Sequence, residues 1–259
     1  MTRDDHDAVV QRQFGASAEN YRTSPAHARG RSLSRLVELA APRSDWWVLD
    51  VATGAGHTAA ALAPHAGTVV AGDMTRKMLD QAAMVCRENG LGNVLFVQES
   101  AQALSYRDCV FDLVTCRIAA HHFADPAVFV AESARVLKSG GLLGVVDNVS
   151  PEDQGDAAWI NDFERRRDPS HVRCLDVSQW RDLFTRNDLV PIHEETAPKR
   201  FDFRDWMCRM NVESERIESL AERLLHAPEG VLRFWQPRNQ GDRLELSLRE
   251  AILVGRKGG

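Results

Sequence analysis

Several features that would mark a special class of protein are missing from this sequence. It has no C-x-x-C pair, and its five cysteines are odd in number and widely spaced, so we expect neither a disulfide framework nor a metal site. We interpret the cysteines as packing residues. No run of about 18 uncharged apolar residues occurs, and residues 1–7 carry three aspartates where a signal peptide would be basic and then apolar. A cytoplasmic protein without membrane insertion is therefore expected.

An excess of basic charge is also missing. The chain has 32 basic and 37 acidic residues, a formal net charge of −5. Such a balance gives no overall positive field for a polyanion, so we expect no nucleic-acid partner and only local anion binding. The 259 residues show no internal repeat or low-complexity linker, and the length suits one large domain.

Apolar segments of strand length alternate with helical segments after residue 40. The predicted strands are 47–51, 68–71, 94–97, 111–116, 142–146, 189–193 and a last segment within 244–254. Strict alternation of strand and helix indicates βαβ units, and near-continuous apolar strands indicate a sheet buried on both faces. The predicted fold is α/β, a doubly wound Rossmann-like seven-stranded sheet with helices on both faces.

Two helical segments lie outside this alternation, and the chain is read as one domain over 1–259 that includes both. Residues 1–40 are predicted to form cap helices with a break near Thr23-Ser24-Pro25, and residues 203–240 a helical insertion, or lid, before the last strand. Amphipathic helices that cover a ligand have less to pack against without it. We therefore expect residues 10–30 and 203–227 to be the most mobile parts of the ligand-free protein.

A glycine turn separates the first predicted strand from the helix that follows. The segment reads DVATGAGHTA over residues 50–59. Glycines let the backbone approach a ligand closely, and a helix start offers unpaired N–H groups. Taken alone, the pattern also fits a simple tight turn or, with Ala59, a G-x-G-x-x-A dinucleotide fingerprint.

Two acidic residues distinguish between these interpretations. Asp50 lies four residues before Gly54, where a dinucleotide site would place an apolar residue near an anionic pyrophosphate. A carboxylate there suits a cationic ligand better. Asp73 closes the second strand, where a carboxylate can accept both hydroxyls of a ribose. The two acids together favour a nucleoside with a positively charged attachment.

These motifs resemble those of the class I S-adenosylmethionine (SAM) dependent methyltransferases, of the small-molecule type close to ubiquinone/menaquinone biosynthesis. The similarity extends over residues 14–150. It includes the D-x-x-x-G-x-G loop at 50–56, DMTRKML at 73–79, VQESAQAL at 97–104, FDLV at 111–114 and ARVLKSGG at 134–141. The segment FGASAENY at 14–21 is similar to the helix that closes over the cofactor in this family.

The resemblance implies SAM as cofactor and a particular set of residues around it. In the family the acid after the second strand binds the ribose, and Met74 would lie against the adenine. Ser100 stands where the family usually has an aspartate that accepts the adenine amino group. The implied cofactor-binding residues are Tyr21, Asp50, Ala52, Gly54, Gly56, Asp73, Met74, Met78, Ser100, Ala101, Arg117 and His122.

The acceptor is less well defined by the sequence. Quinone methyltransferases carry G-x-R-N after the fourth strand, whereas this chain has Ala119-Ala120-His121-His122, which argues against a quinone. The implied reaction is in-line transfer of the SAM methyl group to an oxygen, nitrogen or carbon atom of a small-molecule acceptor. His121 and His122 are candidate bases, and the alternative is that they pack beside the cofactor or cap the next helix. Arg117 either reaches the methionine end of SAM or fixes its loop.

A basic cluster follows the fifth strand, at the edge of the sheet where α/β proteins bind ligands. Arg167 continues the apolar face of the preceding helix, so its guanidinium needs a partner. Either it forms a salt bridge with an internal carboxylate, or Arg167, His171 and Arg173 hold a polar or anionic group of the acceptor. Two other functions stay open at this point, an NAD(P)-dependent oxidoreductase and a non-catalytic SAM-binding interaction protein.

Overall fold

The apolar strands predicted from the sequence lie side by side in one central sheet. A computed structural model describes residues 3–23, 30–241 and 243–259. Within these residues the sheet has eight strands: β1 Trp47–Val51, β2 Thr68–Asp73, β3 Val94–Gln98, β4 Phe111–Arg117, β5 Leu137–Asn148, β6 Leu189–Asp202, β7 Arg238–Gln240 and β8 Arg243–Lys257. Their order is β3-β2-β1-β4-β5-β8-β6, and β7 pairs with β8 outside this path.

The first five strands are parallel, and β8 is antiparallel to β5 and β6. The Rossmann-like α/β sheet is thus confirmed, with the seven expected strands as its main path and β7 as a short addition. The carboxyl ends of β1, β2, β4 and β5 meet at one edge. The strand order reverses between β1 and β4, which is where ligands bind in such sheets.

Ten α-helices are described around the sheet. They are α1 Arg3–Thr23, α2 Arg31–Ala40, α3 His57–Leu62, α4 Arg76–Glu88, α5 Pro126–Val136, α6 Gln154–Arg167, α7 Val177–Arg186, α8 Phe203–Cys208, α9 Ser214–Leu225 and α10 Glu229–Trp235. The helices α1 and α2 occupy the predicted cap segment, but the predicted break at residues 24 and 25 lies outside the described residues.

Residues 203–240, the predicted helical insertion, contribute to a hydrophobic core apart from those on the two faces of the sheet. Helices α8, α9 and α10 pack with α6 and with the first half of β8. Phe163 and Trp206 are stacked, and Trp235 meets both edge-on. The separate cores on the two faces of the sheet gather around Leu49 and Phe129 on one face and around Val48 and Leu62 on the other.

Two local expectations differ from the structure. Strand β6 was expected to end at His193 but continues to Asp202, because an edge strand needs only one partner and its outer residues can be polar. The interpretation of all cysteines as packing residues holds for Cys86, Cys116 and Cys174, whereas Cys109 and Cys208 are exposed. No described helix is both long enough and apolar enough to cross a membrane.

Candidate active site

The Asp50 side chain holds the loop after β1 in place. This carboxylate is buried and accepts hydrogen bonds from the hydroxyls of Thr53 (2.5 Å) and Thr115 (2.8 Å). Burial raises the pKa of Asp50 to about 6, while the two hydroxyls act in the opposite direction. Asp50 therefore ties the glycine loop to β4 and does not itself face the cavity above the loop.

The two glycines of the loop have different surroundings. Both have left-handed backbone angles, with φ of +56° at Gly54 and +80° at Gly56. A Cβ atom on Gly56 would lie 2.7 Å from the Cβ of Ala82 in α4, whereas a Cβ on Gly54 would meet no atom within 4 Å. Gly56 is thus required by helix packing, and Gly54 keeps space open in the cavity that it lines.

Asp73 is placed at this cavity by two backbone amides. Gly54 N–H donates to its Oδ2 (2.9 Å) and Thr75 N–H donates to its Oδ1 (2.8 Å). Burial raises the pKa of the Asp73 carboxyl, and the two N–H donors act against that shift. Each oxygen retains acceptor capacity, because a carboxylate oxygen can accept more than one hydrogen bond.

The first cavity extends from the glycine loop to the start of α5 and encloses about 950 Å³, including the part open to solvent. Ten of the predicted cofactor residues line it: Tyr21, Ala52, Gly54, Asp73, Met74, Met78, Ser100, Ala101, Arg117 and His122. Asp50 and Gly56 do not. Arg117 donates from Nε to the Thr58 hydroxyl (3.0 Å), so it both lines the cavity and joins β4 to α3.

Other lining residues had not been identified from the sequence. Helix α1 contributes Asp7 and Val10 in addition to Phe14 of the FGASAENY segment, and the loop after β3 contributes Glu99 and Gln102. Burial raises the pKa of the Glu99 carboxyl to about 7. The signal that could have found Asp7 and Val10 is their helical spacing: Val10 precedes Phe14 by four residues and Asp7 precedes Val10 by three, which places all three on one helical face.

Helix α1 covers the first cavity and is attached at both ends. The His6 side chain donates from Nε2 to the carbonyl of His122 (2.7 Å), and His57 donates from Nε2 to the carbonyl of Tyr21 (3.1 Å). Between these points Phe14 meets His122 edge-on, with ring centroids 4.9 Å apart. The helix predicted to close over a cofactor thus lies across this cavity.

A second cavity adjoins the first and encloses about 590 Å³, again including its open part. Tyr21, Ile118 and His122 line both cavities, so these three residues form the boundary between them. The other walls come from the loop after β4, the end of α6, the strands β5, β6 and β8, and the segment that includes α8. They are His121, Asn148, Arg167, Asp168, Lys199, Phe201, Trp206, Arg209, Met210, Leu248 and Glu250.

His121 is held in one orientation by Asp147, which sequence reasoning had not identified. The ring bonds through Nδ1 to Asp147 Oδ1 (2.6 Å), and the His121 backbone N–H donates to Asp147 Oδ2 (2.8 Å). Since a carboxylate only accepts, Nδ1 carries the proton, and Nε2 is the acceptor nitrogen of the neutral ring. Burial lowers the pKa of His121, but the charge and hydrogen bond of Asp147 outweigh it and the net shift is upward.

His122 has a different environment from its neighbour. Its Nδ1 donates to the carbonyl of Ser170 (3.1 Å), and burial followed by the charge of His121 lowers its pKa. The ring is therefore neutral at neutral pH. It packs at the boundary of the two cavities, 4.1 Å from the His121 ring between centroids.

The predicted acceptor residues are only partly brought together. Arg167 lines the second cavity, but it is buried and its Nε donates to Glu164 Oε2 (2.8 Å), which is the salt-bridge alternative. His171 is buried beside His121, with ring centroids 5.7 Å apart, but does not line the second cavity, and it donates from Nε2 to Asn161 Oδ1 (2.8 Å). The Arg173 side chain is exposed. The backbone N–H groups of Val172 and Arg173 donate to the His121 carbonyl, so this turn supports His121 from behind.

Comparison with known proteins gives the family of this chain. Residues 49–145 match the methyltransferase domain family. The chain is 38% identical over 216 residues to the "uncharacterized methyltransferase YcgJ" of Bacillus subtilis, covering 83% of this chain and 85% of the relative. It is 34% identical over 120 residues, 45% of this chain and 48% of the relative, to the ubiquinone/menaquinone biosynthesis C-methyltransferase UbiE of Shewanella frigidimarina.

Solved structures agree with the sequence comparison. The B. subtilis YcgJ structure has a TM-score of 0.83 at 33% identity and covers 88% of this chain and 98% of its own. A Bacillus halodurans C-125 protein, solved as a candidate methyltransferase, has a TM-score of 0.85 at 36% identity, covering 89% of this chain and all of its own.

Proposed function

Because this chain belongs to the SAM-dependent methyltransferase family, we propose that it transfers the methyl group of SAM to a small molecule held in the second cavity. Two adjoining cavities with a shared boundary of Tyr21, Ile118 and His122 are the observation that carries this proposal. A transfer reaction needs two ligands side by side with water excluded between them. Family membership decides against the NAD(P)-dependent oxidoreductase, and the cytoplasmic location and the absence of a nucleic-acid partner stay predictions.

The first cavity has the size and chemistry that SAM requires. The open space at Gly54 lets a ligand approach the backbone, and the Asp73 carboxylate at the strand end can accept two ribose hydroxyls. Met74 and Met78 offer soft apolar contacts to an adenine ring, beside Ser100 and Ala101. Arg117, at the other end of the cavity beside Thr58, suits the carboxylate of the methionine part.

We assign the role of general base to His121. When bound, SAM supplies a methyl group that its sulfonium makes electrophilic. His121 Nε2 accepts the proton that a hydroxyl, amine or acidic carbon of the acceptor releases as that atom bonds to the methyl carbon, while the carbon–sulfur bond breaks and the demethylated thioether leaves. Asp147 keeps Nδ1 protonated and balances the imidazolium charge. Neutral His122 forms part of the apolar boundary between the cavities.

Binding of SAM through Asp73 is tested by calorimetry. Asp73→Ala should weaken both SAM and its demethylated product S-adenosylhomocysteine (SAH) by about 2 kcal/mol, because two ribose hydroxyls lose a charge-assisted acceptor. Asp80→Asn is the control, since Asp80 lies on exposed α4 surface paired with Arg76. Unchanged affinity in Asp73→Ala would remove Asp73 from the site.

Transfer itself is tested with SAM that carries a labelled methyl group. Incubation with pooled metabolites and analysis by mass spectrometry should give a product that gains one labelled methyl group, with one SAH formed per product. Asp73→Ala should form neither at low SAM. SAH formed without any methylated product would contradict transfer to an acceptor, and SAM binding without either would favour the non-catalytic interaction protein.

A further inference from the structure

The wall of the second cavity carries several charged side chains. Three basic side chains, Arg167, Lys199 and Arg209, face two carboxylates, Asp168 and Glu250. Apolar walls lie between them, among them Phe201 and Trp206. Charged groups beside apolar walls interact strongly, because water screens them less than at an open surface.

Two of the three basic groups already have carboxylate partners. Arg167 donates from Nε to Glu164 Oε2 (2.8 Å), and its Nη2 lies 4.0 Å from Asp168 Oδ2. Its guanidinium also stacks on Trp206, with Cζ 4.4 Å from the ring centroid. Lys199 Nζ lies 2.6 Å from Glu250 Oε1. The two carboxylates on the cavity wall are therefore paired, Asp168 with Arg167 and Glu250 with Lys199.

Arg209 is the third basic group, and it forms no ion pair within residues 3–23, 30–241 and 243–259. It follows α8 directly in the insertion and is half-buried, with Cζ 5.2 Å from the centroid of the Phe201 ring. Lys199 Nζ lies 5.4 Å from the centroid of the same ring. Two cations thus gather around one aromatic ring, and a single carboxylate, Glu250, is bonded to one of them. A second anion between them would be stabilised by both.

We propose that the methyl acceptor is a small apolar carboxylate, and that Arg209 binds its carboxylate group with Lys199 beside it. The inference rests on the proposed function, since it names the substrate class of the same second cavity. The guanidinium offers a planar pair of N–H donors that matches a carboxylate. Trp206, Met210 and Leu248 supply the apolar surface for the body of the acceptor, and His121 lines the same cavity as its base.

Benzoate and benzamide are suitable probes of a carboxylate site, because they have the same ring and nearly the same size but differ in charge. Calorimetric titration into the full chain saturated with SAH should show benzoate binding in the millimolar range and at least about tenfold more tightly than benzamide. Equal affinity of the two, or no detectable benzoate binding, would overturn the proposal.

Variants locate the effect at Arg209. Arg209→Gln should lose the preference for benzoate, and Arg209→Lys should keep part of it, because a point charge replaces a planar pair of donors. The matched control is Arg204→Gln, which removes the same charge from an exposed position of α8. A benzoate preference that survives in Arg209→Gln, or that Arg204→Gln removes equally, would overturn the assignment to Arg209.

A separate SAH titration keeps this test apart from that of the proposed function. Normal SAH affinity together with no benzoate preference would contradict the carboxylate acceptor only. Absence of SAH binding to the wild-type chain would contradict the proposed function, whether or not benzoate binds.

Discussion

Gly54 and Gly56 share a left-handed backbone but differ in what a side chain would meet. Gly54→Ala should cost about 1 kcal/mol of unfolding free energy, from backbone strain alone, and should weaken SAH binding at least about tenfold because the methyl group enters the space of the ligand. Gly56→Ala should cost about 3 kcal/mol, because the new Cβ also overlaps Ala82 of α4. Denaturant unfolding and calorimetry measure the two quantities. Normal SAH affinity in Gly54→Ala would mean that the loop is only a turn.

The Asp147–His121 pair predicts a pH dependence of methyl transfer. A base must be deprotonated, and the pKa of His121 is raised, so the rate should increase with pH through a value above the ordinary histidine pKa of about 6.5. Asp147→Asn removes the charge that raises this pKa. Its acidic limb should move to lower pH, and its limiting rate should fall about 100-fold as His121 loses its charged partner.

His121→Gln should abolish the acidic limb together with most of the activity. His65→Gln is the control, because His65 is exposed and lines neither cavity. A pH profile for Asp147→Asn that coincides with the wild-type profile would exclude Asp147 from positioning the base.

At the scale of helices and strands, the sequence predicted elements well where a buried face imposes a pattern. The strands β1, β2 and β4 are buried along most of their length and were found nearly at their true bounds. Strand β6 and helix α10 were not, because an exposed edge strand can be polar along most of its length and α10 has only seven residues. Such elements depend on tertiary contacts more than on local pattern.

The two segments expected to be mobile without cofactor should differ in solution. Helix α1 borders the first cavity with Asp7, Val10, Phe14 and Tyr21, so SAH should slow its amide hydrogen exchange. Helix α9 belongs to the separate core of the insertion, and its exchange should not respond to SAH. Helix α7, remote from both cavities, is the reference. Exchange in α1 that is equally slow with and without SAH would contradict its role as a cofactor lid.

At the scale of the whole molecule, the first cavity could be predicted and the second could not. Most residues that line the first cavity follow strand ends within residues 50–123, so local motifs reveal them, whereas Asp7 and Val10 of α1 belong to no such motif. The second cavity joins Tyr21 to side chains near 121, 148, 167, 201, 209 and 250. No residue spacing in the sequence indicates that these side chains lie together in the fold. Asp147, Lys199 and Arg209 therefore emerged only from the fold, while Arg167 was found because it continues an apolar helix face.

The position of the SAM methyl group in the bound complex shows whether transfer takes place at the boundary between the two cavities. Nuclear Overhauser effects can be measured between an isotopically labelled SAM methyl group and the protons of the protein. We expect contacts from the methyl group to Tyr21, Ile118 and His122, which separate the two cavities. Contacts only to Met78 and Ser100, which line the first cavity but not the second, or no binding of SAM, would contradict it.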